Sequence, residues 1–183
     1  MKKTIFITGA TSGIGKATAE VFAKQGHRLI ICGRRKEVLD NLQIQLSNFT
    51  DVYSLVFDVR NQQEVQNAIN SLPEEWKNID VLVNNAGNAH GLEPISDANI
   101  SDWDAMMDGN VKGLLYVSQP IIKLMKANNS GHIVNISSVA ARQTYANGTV
   151  YCASKKAVDV ISEGMRLELT EFGIKVTNVQ PGA

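Results

Sequence analysis

The chain has 183 residues, 44% of them apolar, which is enough for one sizeable core, so a single domain over residues 1–183 is expected. Lys plus Arg and Asp plus Glu both number 18, a balance that gives no long-range pull toward nucleic acid or an anionic membrane and points to a small-molecule partner. The apolar run Ile5-Phe6-Ile7 stops at Thr8-Gly9, too short for a secretory signal, no stretch reaches the ~20 apolar residues of a membrane span, and Cys32 and Cys152 stand apart without CxxC or adjoining histidines, so a reducing cytoplasm fits better than a disulfide framework or a zinc site.

The elements alternate strand and helix from the start. Thr4 to Thr8 reads as a strand, and the glycine-rich turn Thr8-Gly9-Ala10-Thr11-Ser12-Gly13-Ile14-Gly15 opens a helix from Ile14 to Gln25. Glycines permit a tight turn and close backbone approach, and a helix N-terminus offers unpaired N–H groups to a pyrophosphate. The second strand, Arg28 to Cys32, ends at Gly33-Arg34-Arg35, where an NAD-binding unit would carry a carboxylate for the ribose 2′-hydroxyl. Two guanidinium groups suit a 2′-phosphate instead, so the cofactor expected is NADP rather than NAD. Cations at the start of the next helix, Lys36 to Leu46, oppose its dipole and therefore ask for another explanation than solvation.

The third strand, Val52 to Phe57, leads to Asp58 and Val59 and then to a helix from Gln63 to Leu72 after the capping residue Asn61. The fourth, Ile79 to Val83, runs into Asn84-Asn85-Ala86-Gly87. A long helical pattern from Ser101 to Ala127 follows a second capping candidate, Ser101, and contains Gly109, Asn110 and Pro120. Gly109 costs about 1 kcal/mol of helix propensity, which suggests a local bend, and Pro120 should kink the helix rather than end it. The fifth strand, His132 to Ile136, is followed by Ser137-Ser138, a helix from Thr149 to Phe172, and the sixth strand, Lys175 to Val179, with Pro181-Gly182 at its end. Six strands with five helices, most strands apolar on both faces, give an α/β doubly wound Rossmann fold with a mostly parallel sheet, whose sites lie at the carboxyl ends of the strands.

Tyr151 and Lys155 are four apart in the Thr149 to Phe172 helix and share one face. A phenol is a poor base at neutral pH, but a neighbouring ammonium stabilises its ionised form, so the pair can give and take a proton. Tyr-x-x-x-Lys alone also occurs on ordinary surface helices, and its weight comes from the company it keeps.

The glycine turn, Asn84-Asn85-Ala86-Gly87, Asn110, Ser138, Tyr151 with Lys155, and Pro181-Gly182 together resemble the motif set of the short-chain dehydrogenase/reductases, over essentially the whole chain. The resemblance implies an enzyme that moves a hydride between NADP(H) and a hydroxyl or carbonyl group. Tyr151 would be the general acid/base, Ser138 would hydrogen-bond the substrate oxygen, and Lys155 would steady the phenolate and hold the nicotinamide ribose. Asn110 would hold a water in a proton relay. Gly9, Thr11, Ser12, Gly13, Ile14, Gly15, Arg34, Arg35, Asp58, Val59, Asn85, Ala86, Gly87, Pro181 and Gly182 would join Tyr151 and Lys155 in the cofactor site. Ser137 competes with Ser138, which has the family's spacing to Tyr151, and Asp58 either contacts adenine or caps the helix after it. Ala141 stands where many members have glycine.

The stretch from Ser71 to Gly87, with Gly91-Leu92-Glu93-Pro94, resembles the 3-hydroxy acid (serine-type) dehydrogenase branch, implying substrates such as serine or allo-threonine; Arg142 is a candidate carboxylate anchor and His90 a surface residue near the pocket. The competing readings are a 3-oxoacyl-carrier-protein reductase and a non-catalytic NADPH-binding module, the latter opposed by the presence of both Tyr151 and Lys155. No metal is expected, and the family's habit implies a homo-oligomer, dimer or tetramer. The family also continues past the sixth strand through a substrate-covering segment, a helix and a last strand, so Met1 to Ala183 is expected to be less than a complete functional enzyme, the remaining segment being either absent or disordered.

Overall fold

A computed structural model describes residues 2–182. Six strands, β1 (Thr4–Ile7), β2 (Arg28–Gly33), β3 (Val52–Val56), β4 (Val81–Asn84), β5 (Gly131–Ile136) and β6 (Ile174–Val179), form one sheet in the order β3-β2-β1-β4-β5-β6. Every neighbouring pair is parallel. The expected doubly wound sheet is therefore present, and it is wholly parallel rather than mostly so among the described residues. The direction of winding reverses between β1 and β4, which opens a crevice at their carboxyl ends.

Alternate residues of each strand feed two cores. Ile5 and Ile7 of β1 and Leu29 and Ile31 of β2 pack under α1 (Gly13–Lys24) and α2 (Lys36–Leu46) through Ala19, Ala23, Leu39 and Leu42. Phe6, Ile30, Leu82 and Ile133 face the other way, onto α3 (Gln62–Asn70), α5 (Gly113–Ala127) and α6 (Thr149–Leu169), through Val65, Val117, Ile121, Met125 and Val158. Burial on both faces explains why the strand runs are almost continuously apolar.

Asn61 caps α3 as expected, accepting from the N–H groups of Gln63 and Glu64. Two other expectations change. The helical pattern from Ser101 to Ala127 is not one α-helix: α4 (Ile100–Met107) passes through a π turn over Asp108–Lys112 before α5 begins. Gly109, weak in helix propensity, lies within that turn, and Gly113 N–H bonds to Asp108 O across it. The helix then continues through Pro120. The cap of α4 is Asn99, whose Oδ1 accepts from Ser101 N at 3.0 Å and from the Ser101 hydroxyl at 2.9 Å, so Ser101 is a first-turn residue.

Between the sheet and α5 and α6 lies a buried polar ladder. Asn84 Nδ2 donates to Ser118 Oγ and to Asn135 Oδ1, both at 2.9 Å, and Asn135 Nδ2 donates to Ser162 Oγ at 2.9 Å. Asn84 and Asn135 are register partners on β4 and β5, so the ladder ties the two strands to both helices directly below the crevice.

Candidate active site

A cleft of about 600 Å³ runs along the carboxyl ends of the strands. Of the residues expected in the cofactor site, all but Gly15 line it, as do Ser138, Tyr151 and Lys155; Asn110 stands behind the wall, where its neighbour Gly109 reaches the surface of the cleft.

The glycine turn is held shut from β4. Gly9 has φ +64°, a left-handed conformation that an L side chain rarely adopts, and a Cβ there would lie 2.9 Å from Ala86 Cα. A Cβ on Gly15 would lie 2.3 Å from Asn85 Nδ2 and 2.4 Å from Gly9 O. Asn85 Nδ2 occupies that space because it donates to the carbonyls of Thr8 (3.0 Å) and Gly9 (3.1 Å), while Thr8 Oγ1 accepts from the N–H groups of Asn85 and Ala86 at 3.0 Å. Gly15 thus shapes the turn from inside, and Ser12, Gly13 and Ile14 present the exposed start of α1 to the cleft.

One end of the cleft is cationic. Arg35 Nη2 donates to Thr11 Oγ1 at 2.8 Å, which aims its guanidinium across the glycine turn, and Arg34 Nη1 stands 3.4 Å from Asp58 Oδ2. Asp58 does not cap α3. Its carboxylate receives Arg60 Nε and Nη2, the latter at 2.6 Å, and its main-chain N–H donates to Glu64 Oε2 at 3.0 Å. Burial raises the Asp58 pKa, but the Arg60 hydrogen bonds and the charges of Arg60 and Arg34 outweigh it and hold the group below the ordinary carboxylate value. Two arginines, Arg34 and Arg60, therefore flank one carboxylate at this end, with Arg35 beside them on Thr11. Arg60 was not singled out from the sequence, where an Arg at the start of a helical segment carries no distinguishing spacing. Val59 packs closely above Gly113, where a Cβ would come within 2.8 Å of Val59 Cγ2.

At the other end stand the groups expected to do chemistry. Lys155 is 7% exposed, and burial lowers its pKa. Its ammonium donates to Ile136 O at 2.9 Å and lies 5.9 Å from the centre of the Tyr151 ring. Ser138 Oγ accepts from Ala140 N at 3.1 Å, which leaves its own O–H free to donate. The competing Ser137 is buried, and its hydroxyl is committed to Asp159 Oδ1 at 2.6 Å, with Lys155 O at 3.1 Å. The two serines thus have different partners, and of the two only Ser138 is not committed to another side chain.

Asn110 is 2% exposed, and its amide is engaged through both of its atoms. Oδ1 accepts from Asn88 N at 2.8 Å, and Nδ2 donates to Asn88 O at 2.8 Å and Ser154 Oγ at 3.0 Å. The π turn delivers this side chain to the loop after β4, beside Gly87, whose missing Cβ leaves room for Asn110 Oδ1. Asn88, Ser154 and Thr8 were missed because each works by meeting a residue distant in sequence. Arg142 is exposed and does not line the cleft; His90, also exposed, lines a smaller hollow beside Tyr151 with Glu93, Asp102 and Trp103. Among the described residues no His, Cys, Asp and Glu cluster could hold a metal ion.

Comparison with known proteins bears on these groups. The chain is 42% identical over 178 residues to the NADP-dependent 3-hydroxy acid dehydrogenase YdfG of Escherichia coli (strain K12), a match covering 97% of this chain and 71% of that protein. It is 41% identical to sulfoacetaldehyde reductase 2 of Chromohalobacter salexigens, over all of this chain and 73% of that protein. A structure of serine dehydrogenase in a closed form complexed with NADP+ superposes with a TM-score of 0.93 at 42% identity, covering 98% of this chain and 71% of that one. The family model for short chain dehydrogenases matches residues 3–183, and the chain belongs to that family.

Proposed function

We propose that this chain is an NADP-dependent oxidoreductase acting on a CH–OH group, or the corresponding carbonyl, of a small acid-bearing substrate such as serine, allo-threonine or another 3-hydroxy acid. The observation that carries the reading is the polarity of the cleft, with Arg34 and Arg35 at one end and Tyr151, Lys155 and Ser138 at the other. The residues fit the cofactor: the cradle between Gly9 and Ala86 would be filled by any Cβ, and the exposed start of α1 faces it. Arg34 and Arg35 would grip the 2′-phosphate, Asp58 and Val59 would line the adenine, and Asn85, Ala86, Gly87, Pro181 and Gly182 would wall the dinucleotide. Bound there, NADP(H) supplies the hydride donor or acceptor.

The chain's own groups handle the proton. Tyr151 gives its phenolic proton to the carbonyl oxygen in reduction and recovers one from the hydroxyl in oxidation. Ser138, held by Ala140 N, donates its O–H to the same oxygen. Lys155 uses one N–H on Ile136 O and keeps two for the Tyr151 oxygen and the ribose. Asn110, whose Nδ2 is committed to Asn88 and Ser154, orders the site, and its Oδ1, which accepts only from Asn88 N, keeps a lone pair for a water in a relay from Lys155. The relatives named for 3-hydroxy acids, serine and sulfoacetaldehyde support a small substrate with an acid group. A homo-oligomer, dimer or tetramer, is supported by Leu115, Val160 and Leu167, exposed on α5 and α6; light scattering of the purified protein tests it.

The experiment is an NADPH-absorbance assay over L-serine, L-allo-threonine, 3-hydroxypropanoate and a carrier-bound 3-oxoacyl thioester, with Tyr151→Phe alongside. Turnover of a free hydroxy acid that falls about 10²–10⁴-fold in the variant, with NADPH still bound, is the expected result. Activity confined to the thioester, or unaltered by the substitution, overturns the reading.

A further inference from the structure

We propose that Asp159 is a positioning residue for this reaction, whose carboxylate locks the turn carrying Ser138 to the segment carrying Pro181 and Gly182. The inference rests on the oxidoreductase reading above and names a group that reading does not use. Tyr151, Lys155 and Asp159 follow one another at intervals of four on α6 and share its inner face. The first two serve the cleft directly. Asp159 reaches instead to the ends of two strands. Oδ1 accepts the Ser137 hydroxyl at 2.6 Å and Asn178 Nδ2 at 2.7 Å, and Oδ2 accepts Gln180 Nε2 at 2.7 Å.

The position of these partners gives the contact its meaning. The pairing of β5 with β6 ends at Ile136 and Val179. Beyond it two backbone bonds remain, Ser137 N to Val179 O at 2.7 Å and Val139 N to Pro181 O at 3.1 Å. The chain leaves the sheet here, and both departing segments line the cleft, Ser138 on one and Pro181-Gly182 on the other. One carboxylate collects a donor from the first segment and two from the second, so the separation of the two walls is set by a group on the same helix as the acid/base pair. Burial raises the Asp159 pKa, but the bonds from Ser137, Asn178 and Gln180 and the charge of Lys156 outweigh it, so the group stays ionised and able to accept all three donors. A leucine would fill similar space, leave the Asn178 and Gln180 amides without their acceptor and turn the Ser137 hydroxyl onto Lys155 O alone.

The test compares Asp159→Leu and Asp159→Asn in the full chain. An amide can still accept from Ser137 and Asn178 through Oδ1, and it can donate to Gln180 once that amide turns over, so the asparagine variant restores the clamp without the charge. Because misplacement of reacting groups by about 1 Å costs on the order of 10²-fold, Asp159→Leu should lower kcat for L-serine oxidation about 10–100-fold. The NADPH dissociation constant, read by fluorescence, should rise no more than about 3-fold, because the phosphate contacts lie at the far end of the cleft from Pro181 and Gly182, and Asp159→Asn should recover kcat to within about 5-fold, because it restores the hydrogen bonds. Hydrogen exchange should quicken in residues 137–141 and 178–182. A kcat unchanged in Asp159→Leu, even with a lower Tm, would mean that Asp159 only stitches two strand ends together, and the proposal falls. Should that variant not fold, Gln180→Leu removes one donor and should cost kcat about 3–10-fold; no loss there is equally fatal. If the unmodified chain turns over none of the free hydroxy acids, or Tyr151→Phe is fully active, the proposed function fails separately; should another hydroxy acid replace serine as substrate, the same kcat comparison is made with it. Exchange then still decides whether Asp159 couples the two segments, and unaltered protection overturns it.

Discussion

Replacing Gly15 by alanine should damage both stability and nucleotide binding, and the structure says by how much. The new methyl would lie 2.4 Å from Gly9 O and 2.3 Å from Asn85 Nδ2, where ordinary contact begins at 3.4 Å, so each neighbour has to retreat by about 1 Å. Gly9 O belongs to the backbone of a turn already at φ +64°, and Asn85 Nδ2 is the group that holds the turn through Thr8 O and Gly9 O. Moving the amide forfeits two hydrogen bonds at about 1 kcal/mol each, and the residual overlap adds about 1–3 kcal/mol. A loss of about 3–5 kcal/mol corresponds to a fall in Tm of roughly 6–20 °C for a chain of this length. Gly13→Ala is the matched control. Its Cβ would meet nothing within 4 Å, and only its φ of +54° is costly, at about 1–2 kcal/mol. Urea unfolding of both variants, with NADPH titration, should rank Gly15→Ala well below Gly13→Ala and weaken its NADPH affinity by about 100-fold or more, equivalent to roughly 2.7 kcal/mol. Equal stability of the two, or a Gly15→Ala protein with Tm and affinity intact, would refute the account of Asn85 as the clamp of the turn.

Three further outcomes are expected. Arg34→Asp should weaken NADPH by about 100-fold while leaving NADH within a few-fold, since one charge-assisted phosphate contact is worth about 1.5–3 kcal/mol; parallel losses in the two titrations would remove Arg34 from phosphate recognition. Asn135→Ala should destabilise the fold by about 2–4 kcal/mol, because it opens a buried space and takes one hydrogen bond each from Asn84 Nδ2, which keeps Ser118, and Ser162 Oγ, which keeps Val158 O; a change in the urea midpoint worth less than about 1 kcal/mol would show that the ladder carries little. Asp159, whose folded pKa is depressed, binds fewer protons in the native state than in the unfolded one. Its stabilising contribution is therefore present above the ordinary carboxylate pKa and lost as pH falls through the folded value. Asp159→Asn should flatten the acid limb of stability against pH, and an unchanged slope would contradict the shift.

The sequence by itself determined the order of elements, the glycine turn on the first strand, the arginine pair after the second, and the Tyr151 and Lys155 spacing. All of these are local: a period of two or of 3.6, a glycine run, or two side chains one helical turn apart are properties of a few consecutive residues. Even the preference for Ser138 over Ser137 rested on spacing along the chain. The structure decided whatever depends on partners far apart in sequence. It broke the helix around Asn110 with a π turn and spent the Asn110 amide on Asn88 and Ser154, where periodicity predicted a continuous helix with a bend. It removed Asp58 from capping and surrounded it with Arg34 and Arg60. It made Asn85 the clamp of a turn more than 70 residues earlier, and it gave Asp159 its three donors. A parallel sheet brings the ends of all its strands to one edge, so residues scattered along the chain become neighbours only once strand order and register are set, and no local pattern carries either.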